Sequence, residues 1–369
     1  MKIAVFIEDF GATGVVRNAL AIAGRLAESG QEVILVAARP EGVLRDRAPS
    51  GVATVELGSG AARRGRKALM RRSIPSLRKF LRDHKPDVLF SGGNHGHLLC
   101  LVASAFLPCR TIVRVSNDLA HGGEGDPNPL GGALRRLKFR FILNRADRVV
   151  LVSHRLLEQV AALDVRLARK AVVIPNGVDA ETVREQAEGP DSGFGLAPPF
   201  ALATGRLVPQ KNFATLLEAL AIARRSADLR LLLIGSGPLR GTLEEQARRL
   251  GIDGALRIVD PVPNPFPAMK QAEVVVLPSW WEGSSNVLLE ALACGTPVVA
   301  SRTAGSADEI LDRGRYGLLV DPDDPDAMAS AILQQMGPRT VPPKDRAKSY
   351  DRRASLDAYE GLIAELAAR

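Results

Sequence analysis

Two glutamates, Glu282 and Glu290, stand eight positions apart in SWWEGSSNVLLEALACGTPVVAS, residues 279–301. Leu288, Leu289, Ala291 and Leu292 flank Glu290, a setting in which a carboxylate is costly unless donors or a cation meet it. An ionised carboxylate accepts hydrogen bonds but cannot donate them, so a vicinal diol such as ribose is a fitting guest. Asn286 lies four residues before Glu290 and shares its helix face. Gly283, Ser284 and Ser285 precede that helix, where free amides with Ser and Asn caps favour phosphate or sugar hydroxyls. Glu282, ahead of the helix, is placed to meet a second hydroxyl-bearing ring. The plainer alternative is that Glu282 complements the helix dipole and Glu290 pairs with an arginine.

Two cations form the second group. In LATGRLVPQKNFATLLEAL, Arg206 and Lys211 are five apart between a strand and a helix. A guanidinium fork and an ammonium point charge beside a helix N-terminus suit a diphosphate. A third loop, EDFGATGVVRNAL, sets Gly11 and Gly14 between the first strand and first helix, where backbone amides can approach an anion. It is not G-x-G-x-x-G, and the second strand ends in Arg39 rather than an acid. Both departures argue against a nicotinamide cofactor.

Such loops need strands and helices to aim them. Apolar runs alternate with helical patterns along the 369 residues. In the first half the strands are expected at 3–7, 33–37, 87–90, 111–115, 148–152 and 172–174. In the second they are expected at 200–203, 231–234, 256–259, 274–277, 297–300 and 317–320. Continuous apolar strands separated by helices mean parallel sheets covered on both faces. EQAEGPDSGFGLAPP (185–199) reads as a linker, so the chain is an α/β protein with two doubly wound, Rossmann-like domains. The expected limits are 1–180, 181–345 and a final helix in 346–369, with Tyr359, Leu362, Ile363 and Leu366 on one side. Two such halves make a crevice, and ligands bind at the carboxyl ends of the strands.

Composition narrows the classes. The chain is 46% hydrophobic and 24% charged, with no apolar run long enough to span a membrane. MKIAVFIEDF reads as a first strand rather than a leader. Cys100, Cys109 and Cys294 lack metal-ligand spacing and read as reduced core thiols of a cytoplasmic protein. The formal charge of +8 is uneven: residues 61–85 hold ten Lys/Arg and one acid. Met70, Ile74, Leu77 and Leu81 recur there at helical spacing, and Pro75 threatens to interrupt the helix. Either this face docks on an anionic membrane surface, or its apolar side packs on its own domain and its basic side is solvated. VDPDDPDA (320–327) contains D-x-D, but Asp-Pro pairs between a strand and a helix suit turn and capping roles.

With these residues in view, EGSSNVLLE fits an E-x7-E pattern, and the chain resembles family 4 of the retaining, GT-B-fold glycosyltransferases over nearly its full length. GATGVVRNAL is similar to the family's glycine loop, IPNGVD (174–179) to its domain crossover, GRLVPQKN to its donor-phosphate loop, and LLLIGSGP and ALACGTPVVAS to further motifs. The resemblance implies a final helix crossing back to the first domain. It also implies sugar transfer from a nucleoside-diphosphate sugar, with the first domain on the acceptor side and the second on the donor side. Arg206 and Lys211 would hold the diphosphate, the Gly14 amide would touch it, and Glu290 would bind ribose. Glu282, with the amides of Gly283, Ser284, Ser285 and Asn286, would hold the transferred sugar. Pro261 and Val262 would contact the base through backbone. No metal or other cofactor is expected, since cations and helix N-termini would stabilise the departing charge.

The sequence departs from the pattern twice. Thr13-Gly14 replaces the common Gly-Gly, and VRVSNDLAHGG offers Asp118 and His121 where many members place a histidine directly after the strand. Asp118 and His121 are therefore the candidates for acting on the acceptor, with His95 and His97 of SGGNHGHLL at a neighbouring strand end, expected to face the same crevice. The leading expectation is a hexosyl- or N-acetylhexosaminyltransferase extending a lipid-linked glycan, such as a lipopolysaccharide, on the cytoplasmic side of the membrane. UDP-sugars come first as donors, GDP-mannose second, and nucleic acid is not an expected partner. The alternatives are a GT-B epimerase acting on UDP-N-acetylglucosamine and a non-catalytic sugar-nucleotide binding module. Glu282 and Glu290 do not read as an acid/base pair flanking one bond, which argues against hydrolysis.

Overall fold

The computed structural model describes residues 1–11, 13–58, 66–119, 129–190, 194, 196, 198–337 and 343–367. Two compact units emerge. The first comprises Met1–Ala120, Gly132–Asn176 and Arg353–Arg369, and the second His121–Gly131 and Gly177–Arg352.

The first unit is built on a parallel sheet of seven strands: β1 (Lys2–Ile7), β2 (Glu32–Ala37), β3 (Ala53–Glu56), β4 (Val88–Ser91), β5 (Arg110–Val115), β6 (Arg148–Leu151) and β7 (Ala171–Val173), in the order β3-β2-β1-β4-β5-β6-β7. The second has six parallel strands: β8 (Phe200–Thr204), β9 (Arg230–Ile234), β10 (Leu256–Val259), β11 (Val274–Leu277), β12 (Val298–Ser301) and β13 (Leu318–Val320), in the order β10-β9-β8-β11-β12-β13. Both orders reverse direction beside the first strand of the sheet, the doubly wound pattern. The central strands are buried throughout, as VVVL of β11 and VLFS of β4 show, because helices cover both faces. β3 goes beyond the expected strands. It is an edge strand whose residues Ala53, Thr54 and Glu56 are exposed, so it carries no apolar run to announce it.

The final helix, Arg352–Ala367, belongs with the first unit from Arg353 onward. Tyr359, Leu362, Ile363 and Leu366 are buried in one cluster with Ile3, Val5 and Phe90, and the Tyr359 ring meets Phe90 edge-on at 5.8 Å. Arg114 of β5 is 1% exposed. Its Nε donates to the Tyr359 hydroxyl at 2.9 Å and its Nη2 to Asn176 Oδ1 at 2.5 Å. One buried guanidinium thus ties the strand to both the outgoing and the returning chain.

The basic segment is settled in part. Residues 61–65 lie outside the described residues, but a helix runs unbroken from Arg66 to His84 with Pro75 inside it. Met70, Leu77 and Leu81 are buried in a cluster with Phe6, Ile34 and Val36. The apolar stripe therefore packs on its own sheet and is not offered to a membrane. All three cysteines are free thiols. Burial pushes each of them up to about 12, so they stay protonated at neutral pH, as core thiols do.

Candidate functional site

The carboxyl ends of four neighbouring strands of the second sheet carry the predicted donor residues. In the order β10-β9-β8-β11, these ends lead to Pro261 and Val262, to residues 235–237, to Arg206 and Lys211, and to residues 282–286. The loops after β8 and β9 are laced together: Gly205 N donates to Ile234 O at 3.0 Å, and Leu207 N to Ser236 O at 2.9 Å. Only glycine fits at position 235, where a Cβ would sit 1.9 Å from Gly205 O.

Beyond β8 the chain turns through Pro209–Lys211, and Asn212 adopts the left-handed conformation at φ 51°. The Asn212 side chain holds that turn by donating to Pro322 O at 2.6 Å and accepting from Thr215 Oγ1 at 2.9 Å. Lys211 is thereby aimed across to the β11 loop, where its Nζ pairs with Glu282 Oε1. Ser279, itself fully buried, donates to the same oxygen at 2.9 Å. Gln210 adds two links, donating to Trp281 O at 2.8 Å and accepting from Trp280 N at 2.9 Å. Glu282's own backbone is closely packed, for a Cβ on Gly305 would lie 2.3 Å from Glu282 O. The pair side chains are 15% and 13% exposed, so their attraction is weakly screened.

The helix Asn286–Cys294 follows. Leu288, Leu289, Ala291 and Leu292 are buried, whereas Glu290 is only half-buried. Ser285 stands at the N-cap but makes no side-chain capping bond. That corrects the expected serine cap at this position: the Ser285 side chain does not close off the amides of the first turn, which can donate to an anion or hydroxyl. Gly283 and Ser285 are buried, Ser284 and Asn286 half-buried, Val262 half-buried, and Pro261 and Arg206 exposed. Lys211 and Glu282 are in direct contact; the other donor candidates of this unit follow strands at the same sheet end, and Gly14 belongs to the first unit.

In the first unit, Gly14 opens the helix Gly14–Glu28, with Thr13 as the N-cap accepting from Val16 N. Arg39, in the place of the missing acid, pairs with Asp9 at 2.8 Å and Glu8 at 3.2 Å, tying the second strand's end to the glycine loop. Asp118 is 3% exposed. Gln159 Nε2 donates to its Oδ2 at 2.8 Å while Gln159 Oε1 accepts from Leu119 N at 3.1 Å. His121 lies outside the described residues. His95 is exposed, but His97 is fully buried, its Nδ1 2.8 Å from Ser91 Oγ. His97 is therefore closed off from solvent, and burial lowers its pKa from 6.5 to about 3.

The D-x-D run behaves as a cap: Asp324 starts the helix Pro325–Gln335 and accepts from Ala327 N at 2.8 Å. Sequence reasoning missed Ser279, Gln210 and Asn212, which position Glu282 and Lys211. Their spacing from the motif carries no signal, and only the adjacency of β8 and β11 brings them together.

Against known families, residues 198–337 match the family described as "Glycosyl transferases group 1" and residues 12–182 match "Glycosyltransferase Family 4". Between them the two matches span most of the chain. The chain belongs to the family 4, group 1 glycosyltransferases.

Among other members of this family, a Campylobacter jejuni protein is 29% identical over 202 residues, covering 53% of this chain and 54% of that protein. It is named N-acetylgalactosamine-N,N'-diacetylbacillosaminyl-diphospho-undecaprenol 4-alpha-N-acetylgalactosaminyltransferase. The lipopolysaccharide core biosynthesis glycosyltransferase LpsE of Rhizobium meliloti is 34% identical over 173 residues, covering 45% of this chain and 50% of that protein. The chain thus spans about half the length of the curated relatives it matches. Anabaena HepE, solved in complex with UDP-glucose, superposes with a TM-score of 0.79 at 18% identity, covering 99% of this chain and 100% of that one. That likeness shows the GT-B fold.

Proposed function

We propose that this glycosyltransferase moves a hexose or N-acetylhexosamine from a nucleoside-diphosphate sugar to a lipid-linked glycan, with retention at the anomeric carbon. UDP is the first choice of carrier and GDP-mannose the second. The work belongs to lipopolysaccharide or cell-surface polysaccharide synthesis, on the cytoplasmic side of the membrane. The observation that carries the reading is the Lys211–Glu282 pair, set beside a helix N-terminus that the Ser285 side chain does not cap. The printed functions of the Campylobacter and Rhizobium relatives support the acceptor class, and the UDP-glucose bound by HepE supports the donor class.

In this reading Arg206 and Lys211 hold the diphosphate, joined by the Gly14 amide. Glu290 accepts from the ribose hydroxyls, and Pro261 and Val262 meet the base through their backbone. Glu282 and the amides of residues 283–286 hold the transferred sugar, whose anomeric carbon exchanges a phosphate oxygen for an acceptor oxygen. The acceptor's proton leaves with the nucleoside diphosphate, whose growing charge the two cations and the helix N-terminus stabilise without an obligatory metal. Asp118 and His121 are the candidates on the acceptor side.

A panel of UDP, GDP, ADP and their sugars, read by thermal shift, tests the donor assignment, because a ligand of the folded state raises its melting temperature. UDP and UDP-sugars are expected to stabilise most. No shift with any nucleotide overturns the reading. Label from the stabilising sugar nucleotide should pass to a lipid-linked acceptor; label that stays on the free nucleotide sugar marks an epimerase instead.

A further inference from the structure

The helix Pro129–Arg145 carries apolar side chains on two opposite sides. Phe139, Ile142 and Leu143 are buried against the first sheet in a cluster with Val113, Val149 and Leu156. On the other side Leu134 is 74% exposed, Leu137 68% and Phe141 50%. Their spacing of three and four residues puts them in one stripe. At 100° per residue, Lys138 and Arg145 border that stripe on one flank and Arg140 on the other, with Arg136 a further 40° round, next to the buried Leu143. All four cations are exposed, and residues 129–145 contain no Asp or Glu. Arg140 pairs at 3.3 Å with Asp164, the residue that follows the next helix, His154–Leu163. The preceding connection between β4 and β5, which lies on the same sheet face by right-handed crossover, presents Phe106 at 96% exposure.

A stripe of Leu and Phe facing water costs solubility and contributes nothing to the fold. Cations along both of its edges, with acids excluded, are the pattern of a helix that sinks its apolar side into an interface while its charges meet lipid phosphates. A protein partner with an ordinary mixed surface would not call for that one-sided charge. We propose that this outward face of the helix Pro129–Arg145 docks the first unit on an anionic lipid bilayer. The assignment moves the membrane contact away from the helix Arg66–His84, whose apolar side the core already covers. It goes beyond sugar transfer and stands independently of the donor assignment.

The test is co-sedimentation of the full chain with phosphatidylcholine vesicles, with and without phosphatidylglycerol. Wild-type protein is expected to bind only the anionic vesicles. The triple variant Leu134→Ser, Leu137→Ser, Phe141→Ser should bind them roughly 100-fold more weakly, at an unchanged melting temperature. Arg136→Glu with Lys138→Glu should weaken binding by about fivefold for each cation lost. Arg71→Glu with Arg72→Glu, on the helix whose apolar side is covered, should retain more binding than either. Equal vesicle binding by the triple variant and the wild type overturns the proposal. So does a wild-type protein that ignores anionic vesicles, including one that sediments as a dimer broken by the triple variant, which would make a second copy the occupant.

Discussion

Replacing Lys211 with Met removes one half of an ion pair whose side chains are 15% and 13% exposed. Glu282 then keeps one hydrogen-bond donor among the described residues, the Ser279 hydroxyl at 2.9 Å. Breaking a fully buried pair costs about 3–5 kcal/mol and an exposed one about 0–1 kcal/mol. The slight exposure here places the expected loss at about 2 kcal/mol. Glu282→Gln leaves the ammonium short of a partner but lets Lys211 reach solvent along its flexible stem, so it should cost about 1 kcal/mol. Combining the two removes the stranded charge, and the double variant should be no less stable than Lys211→Met alone. Trp280 and Trp281 are the chain's two tryptophans and adjoin Glu282, so urea unfolding followed by their fluorescence reports this unit. A double variant whose loss is the sum of the single losses to within about 0.5 kcal/mol refutes the coupling. It would also remove the physical link on which the shared donor site rests.

Glu290→Ala should weaken UDP binding by about 1–3 kcal/mol through the loss of a partly buried acceptor; unchanged calorimetric affinity excludes Glu290 from ribose. Arg206 is exposed, so Arg206→Ala should leave the melting temperature alone and lower turnover by about 10–100-fold; wild-type turnover removes it from the diphosphate site. Burial holds His97 near 3 against 6.5 for the free side chain. Below about pH 6.5 the unfolded chain takes up a proton that the native chain refuses, so stability should fall from there towards about pH 3, by up to about 1.4 kcal/mol per pH unit from this group. His97→Gln should flatten that slope in denaturation midpoints measured across the window; an unaltered slope assigns it to the carboxylates instead.

The two sheets were readable because nearly every strand is a short run of Val, Ile, Leu and Ala between helical patterns, as in LLLI of β9 and VVVL of β11. β3 escaped because an edge strand with three exposed residues needs no such run. The helical spacing was legible and Pro75 threatened to break it, yet Leu69, Met70, Leu77 and Phe80 on both sides of it are buried in a single cluster; tertiary packing outweighs the missing backbone donor. The donor loops were legible as types and spacings within each loop. Their mutual contact was not: Lys211 and Glu282 are 71 residues apart, and nothing in either motif says that β8 and β11 are neighbours. The same holds for Arg114, whose partners Asn176 and Tyr359 lie 62 and 245 residues away.

The two basic helices of the first unit show where periodicity stops informing. Residues 66–84 and 129–145 both combine Leu and Phe at helical spacing with many cations. In the first the regular stripe Met70, Leu77 and Leu81 is turned onto the sheet, and Arg71, Arg72, Lys79 and Arg82 are left outside. In the second the sheet takes Phe139, Ile142 and Leu143, and a further stripe, Leu134, Leu137 and Phe141, is left over. A helix can give only one side to a sheet, so the informative quantity is apolar surface beyond what one contact consumes. By that measure the strongly amphipathic helix is the ordinary one, and the helix whose apolar residues run round both sides is the one that must find a second nonaqueous contact.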